Sequence, residues 1–150
     1  MHKIPSRAHA DSQVPNWHFR MMRDSARNAA IEAAIASCNL TGKTVVEIGT
    51  GAGLPAMLFA RHGARKVFTC EMDERIAAAA REIIRNNDLQ DRIVVIAKSS
   101  RQAILDGDLP SAPDIIFTET LDSGVVGEGY ESIAEDIRQV ASFADDPDAT

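Results

Sequence analysis

Two glutamates, Glu119 and Glu128, stand nine positions apart in TETLDSGVVGEG (118–129), with Asp122 and mostly small residues between them. An earlier stretch, VVEIGTGAGL, spaces an acid and three glycines as Glu47-x-Gly49-x-Gly51-x-Gly53, and Glu71 follows 22 residues after Gly49. Glycines in such a loop let the backbone turn sharply and approach a ligand, and N–H groups at a helix start favour a negative group. A carboxylate at the next strand end can accept both hydroxyls of a ribose. Acids in loops are ordinarily solvated, so the pair Glu119 and Glu128 gains a chemical meaning only if the fold brings it to the glycine loop.

The elements that would do so are legible. TVVEIG (44–49), KVFTCE (66–71), RIVVIA (92–97) and PDIIFTE (113–119) are apolar on both faces, as central parallel strands are. Between them lie helical segments at 54–63, 73–87 and 100–107, with a further helix from 130 to about 143. Pro55 suits a first helical turn, where its missing N–H has no partner to lose. Asp73 is a cap candidate, and Ile76, Ala80, Ile83 and Ile84 share one face. Ahead of the first strand, helical patterns over 17–23 and 25–37 are separated by Asp24-Ser25, either of which can cap the second. Strand–helix alternation of this kind predicts an α/β fold with a parallel sheet, whose ligands bind outside the carboxyl ends of the strands. The glycine loop, Glu71 and Glu119 all fall on that rim.

A chain of 150 residues, 45% hydrophobic and 25% charged, suits one soluble domain. Residues 1–16 read as a flexible arm and 17–150 as the domain. A formal net charge of −6 argues against non-specific binding to nucleic acid or anionic membrane but would attract a basic substrate. No apolar run reaches the length of a membrane span, and the first residues lack a signal-peptide core, so a cytoplasmic location is expected. Cys38 and Cys70 form neither a metal-ligand spacing nor a disulfide framework; two reduced, buried thiols and no metal site are expected.

The dinucleotide fingerprint requires glycine where Leu54 stands, which weakens the NAD reading. An acid two residues before GxGxG is the pattern of S-adenosylmethionine (SAM) methyltransferases, in which the acid can face the ammonium of the cofactor. Glu71 alone does not choose between SAM and NAD. The segments WHFRMMRDSARNAA, VVEIGTGAGL, VFTCEMDE and ETLDSGVVGEG, in this order, resemble the catalytic core of protein arginine methyltransferases, from about Trp17 to Tyr130. The last segment is most similar to the monomethylating, type III branch. The resemblance implies a Rossmann-like class I SAM-dependent methyltransferase fold and an arginine in a protein or peptide as substrate, and a dimer is compatible with it. It implies that Glu119 and Glu128 hold the substrate guanidinium, that Arg27 pairs with the SAM carboxylate, and that His18 and Met21 line the same pocket. Glu47, Gly49, Gly51, Gly53 and Glu71 complete the expected cofactor site. A protonated guanidinium presents a planar fork of donors that two carboxylates can orient.

The sequence departs from that pattern in two places. Where the family usually places an acid against the adenine amino group, this chain has Ser99, Ser100, Arg101 and Gln102, of which Gln102 or a backbone carbonyl could serve. The family continues with further strands, a Thr-His-Trp loop and a β-barrel, so the domain reads as truncated after strand 4, and the 150-residue chain alone is expected to be inactive. Two other readings stay open: a SAM methyltransferase for another substrate, with the two glutamates incidental, and a non-catalytic binding module of the same fold.

Overall fold

The structure, a computed structural model, describes residues 21–120 and 130–142. Within them the elements run α1 (Ser25–Ala36), β1 (Thr44–Ile48), α2 (Leu54–Arg61), β2 (Lys66–Cys70), α3 (Glu74–Asn86), β3 (Ile93–Ile96), α4 (Ser100–Leu105), β4 (Ile115–Thr118) and α5 (Tyr130–Ser142). The expected strands and helices are all present, shortened by one or two residues at their ends, where helices fray and ladders stop. Of the short helix expected over 17–23, only the end lies in the described residues, where Met21 and Met22 are helical.

The four strands form one parallel sheet in the order β3-β2-β1-β4. Chain order therefore reverses beside β1: β2 and β3 lie to one side and β4 to the other. Such a switch point opens a crevice above the carboxyl ends of the two strands that part there. Alternate residues of β1 feed two cores. Val45 packs with Ile35 of α1, Phe59 of α2 and Ile84 of α3, whereas Val46 and Ile48 pack with Ile104 of α4 and Val140 of α5. This explains the uninterrupted apolar character of the strands, since a sheet covered on both faces has no solvent side. Phe59 and Phe117 meet edge to face, 5.4 Å between ring centroids, and join α2 to β4.

Short polar side chains start the helices. Asp24 accepts the Arg27 N–H at the head of α1, Asp73 accepts those of Arg75 and Ile76 at α3, and Ser99 accepts that of Gln102 at α4. Of the two cysteines, Cys70 is buried as expected, but Cys38 is exposed at the end of α1, where the chain leaves the core. Among the described residues no helix is long and apolar enough to cross a membrane.

Candidate functional site

The loop from β1 to α2 is built around three left-handed glycines, with φ of +92° at Gly49, +50° at Gly51 and +83° at Gly53. One of them is pressed by a neighbour and another lies in ordinary contact with one. A Cβ on Gly49 would stand 2.6 Å from Thr120 Cγ2, and one on Gly53 would touch Ile84 of α3. The loop after β4 thus lies directly on the loop after β1. Thr118 strengthens that contact by donating to the Ile48 carbonyl.

Glu71 leaves the end of β2 and ties the glycine loop down. Its Oε2 accepts the Gly51 N–H at 3.1 Å and its Oε1 accepts the Asp73 N–H at 3.0 Å. Each carboxylate oxygen retains a further lone pair, which leaves room for a ribose hydroxyl.

Glu47 is the most unusual residue of the site. It occupies a strand position facing Thr69 on one side and Phe117 on the other, and only 1% of it is exposed. Among the described residues neither of its oxygens has a hydrogen-bond partner within geometric limits. Burial pushes its pKa from the ordinary 4.5 up to about 8; the nearby Thr69 hydroxyl offsets part of the rise, and the charges of Glu119 and Glu71 add to it. The Thr69 hydroxyl also meets Thr50 Oγ1 at 2.6 Å. Buried polar groups are rarely left without partners, and a buried acid with a strongly raised pKa beside a cavity is a candidate ligand-binding group.

Arg27 and Glu119 close the same space from opposite sides. Nε and Nη2 of Arg27 donate to Oε1 and Oε2 of Glu119 in a two-pronged ion pair, and Nη1 donates to Asn28 Oδ1 at 2.9 Å. Met21, Arg27, Glu47, Gly49, Gly51, Phe117 and Glu119 line one cavity of about 50 Å³. Ligand pockets begin near about 300 Å³, so a nucleoside ligand enters only if part of this lining moves.

Met21, Arg27, Glu47, Gly49, Gly51 and Glu119 therefore come together, with Glu71 bonded to Gly51 and Gly53 at the head of α2. His18 and Glu128 lie outside the described residues, as does Asp122. After β3, the Gln102 side chain donates to Asp106 Oδ1, Ser99 caps α4, and Ser100 and Arg101 bind Asp136. The Gln102 side chain is thus engaged with Asp106. Two contacts had no sequence signal: the seating of Thr120 on Gly49 and the Arg27–Glu119 pair. No group of three or more potential metal ligands occurs among the described residues.

The sheet order and the glycine loop at its switch point define a Rossmann-like class I SAM-dependent methyltransferase domain. The sequence pattern of the ribosomal protein L11 methyltransferase (PrmA) family matches residues 29–141, and the chain belongs to that family. Named relatives narrow the likeness. The arginine N(omega)-methyltransferase of Streptomyces achromogenes subsp. streptozoticus is 42% identical over 120 residues, covering 80% of this chain and 33% of the relative. Protein arginine N-methyltransferase 9 of Mus musculus is 33% identical over 117 residues, covering 77% of this chain and 14% of the relative. Among solved structures, the Trypanosoma brucei PRMT1 enzyme–prozyme heterotetrameric complex with AdoHcy superposes with a TM-score of 0.69 at 28% identity, covering 77% of this chain and 36% of that one. The resemblance to arginine methyltransferases is thereby upheld, and the chain spans about a third or less of the length of these relatives.

Proposed function

We propose that this chain is the SAM-binding part of an arginine methyltransferase. The observation that carries the reading is the convergence of an orphaned acid, an arginine and a loop glutamate on one cavity beside the glycine loop. These are the groups that an amino-acid-bearing nucleoside and a guanidinium would need. Glu47 would face the cofactor ammonium, Arg27 its carboxylate, and Glu71 its ribose, with Gly49 and Gly51 providing close backbone approach. His18 and Met21 complete the cofactor pocket in this reading. Bound SAM supplies an electrophilic methyl group on a sulfonium.

The protein's remaining task is to hold a nucleophile. Glu119, with Glu128 as its proposed partner, would grip a guanidinium by charge-assisted bonds and fix one nitrogen in line for transfer, which is where most of the rate gain of such a reaction arises. A protonated guanidinium is a poor nucleophile; two carboxylates bonded to its N–H groups would draw the positive charge toward themselves and raise the electron density on the reacting nitrogen, and a carboxylate hydrogen-bonded to that nitrogen would take the proton it loses on methyl transfer. The names of the relatives support an arginine acceptor. The Streptomyces relative is named for arginine and the mouse relative for protein arginine, and the guanidinium is common to both. The resemblance of the 122–129 loop supports the monomethylating branch.

Calorimetry tests the reading. S-adenosylhomocysteine should bind more tightly than NAD, and Arg27→Ala should weaken its binding by about 1.5–3 kcal/mol, the worth of a hydrogen bond to a charged group. Tighter binding of NAD would sink the assignment.

A further inference from the structure

Resting on the cofactor reading of Glu47, we infer that Thr69 is a positioning residue: its hydroxyl, set by Thr50, donates to the Glu47 carboxylate and holds that carboxylate toward the cofactor ammonium.

The sheet brings the three side chains together. Glu47 of β1 and Thr69 of β2 are register partners in parallel strands, so both point to the face that also takes Val45 and Val67. Thr50 follows on the glycine loop, and its hydroxyl meets that of Thr69 at 2.6 Å. The Cys70 carbonyl accepts the N–H groups of both Gly49 and Thr50 at 3.0 Å, which ties the backbone carrying Thr50 to the strand carrying Thr69. Glu47 is 1% exposed, Thr50 2% and Thr69 0%. Glu47 and Thr50 line the cavity beside the glycine loop, whereas Thr69 is outside that lining and can act on a ligand only through another residue.

Packing does not call for these hydroxyls. Two valines have nearly the same shape, and replacing both partners of a buried hydrogen bond by apolar groups can be nearly neutral. What the threonines add is a proton. The pair carries two O–H groups, and the contact between them uses one. With Thr50 as donor to Thr69, the spare O–H is that of Thr69. It then lies beside a carboxyl group whose oxygens have no other partner within geometric limits among the described residues.

Such a donor has an electrostatic task. An ammonium is drawn to a carboxylate far more than to a neutral acid. Burial, and after it the charges of Glu119 and Glu71, favours the neutral acid at Glu47, and the Thr69 hydroxyl opposes them. Arg27 of α1 lines the same cavity, but its guanidinium donates to Glu119 and Asn28. The alternative is that the two threonines only fill the sheet and satisfy each other.

Two measurements on the 150-residue chain separate these cases. The first is an NMR titration of the Glu47 carboxyl carbon, assigned through Glu47→Gln. Thr69→Val should raise its midpoint by about one pH unit, the lower end of what a hydrogen bond to a charged group contributes, and Thr69→Ser should restore it. The second is calorimetry of S-adenosylhomocysteine and of its deaminated analogue, which keeps the carboxylate. Thr69→Val should weaken S-adenosylhomocysteine about 10-fold and leave the analogue unchanged. Thr69→Val strands the Thr50 hydroxyl, so the double variant Thr50→Val/Thr69→Val, which leaves no lone hydroxyl, is measured beside it and should show the same shifts. An unmoved midpoint in both variants, or equal weakening of the two ligands, overturns the inference and leaves the cofactor assignment intact. A wild type that binds neither ligand removes the cofactor assignment and the ammonium role with it, while the midpoints still decide whether Thr69 holds the Glu47 carboxylate.

Discussion

Replacing Glu47 by glutamine should flatten the dependence of stability on pH between about pH 5 and pH 8. The perturbation is nearly isosteric and removes only the ability to ionise. In the folded chain Glu47 is 1% exposed with both oxygens unpartnered, and its pKa is raised from 4.5 to about 8, chiefly by burial. The fold therefore holds a proton that the unfolded chain releases above about pH 4.5. Stability falls with rising pH wherever the native state binds the extra proton, so the contribution of Glu47 should be lost steadily as pH rises from 4.5 to about 8 and change no further above. At about 1.4 kcal/mol per unit, the full loss has a ceiling of about 5 kcal/mol. Relaxation around the charge and entry of water reduce it, so a loss of a few kcal/mol is expected. Urea unfolding of both proteins at pH 5, 7 and 9 reads the difference. Depressed carboxylates such as Asp73, at about 2, titrate below this window, and Cys70, pushed up to about 12 mainly by burial, titrates above it. Glutamine leaves an amide unsatisfied, but that penalty is the same at every pH. Parallel pH profiles for the two proteins would refute the claim that Glu47 is buried as a neutral acid.

Three further substitutions probe how the site is built. Gly49→Ala should cost about 3 kcal/mol, because a left-handed φ and an overlap with Thr120 Cγ2 add together. Combining it with Thr120→Ser, which removes that methyl, should return the overlap part, and no recovery in urea unfolding would mean that backbone strain alone is responsible. Gly53→Ala meets Ile84 only at an ordinary 3.5 Å and should cost about 1–2 kcal/mol from φ alone, so a loss as large as that of Gly49→Ala would contradict the geometry. Asp136→Asn should cost about 1–3 kcal/mol, since Asp136 is 2% exposed and joins α4 to α5 by accepting from Ser100 at 2.6 Å and pairing with the half-exposed Arg101 at 2.8 Å. A change within about 0.5 kcal/mol would place it among ordinary surface positions.

What the sequence revealed and what it hid divide along a physical line. The strands were legible because burial on both faces demands unbroken apolar runs, and two of the helices because Asp24 and Asp73 cap them through bonds to residues two or three positions away. The glycines were legible as backbone turns, since that requirement is local to each residue. The reason Gly49 admits no side chain was not, because Thr120 arrives from a strand paired by tertiary structure. Arg27 shows the same boundary. Asp24-x-x-Arg27 looks like an ion pair one turn apart, yet Asp24 takes the backbone N–H of Arg27 and leaves its side chain free to reach Glu119. Glu47 sits between the two kinds. An acid within TVVEI has no solvent to point toward whichever face it takes, since Val45 packs on one face of the sheet and Val46 and Ile48 on the other. That inference needs only the period of a strand and the absence of a polar side to the sheet. A charged residue inside such a run is therefore either paired by the fold or kept for a ligand. Among the described residues Glu47 is given no geometric hydrogen-bond partner, and it lines the cavity beside the glycine loop, which makes it a candidate for the second kind.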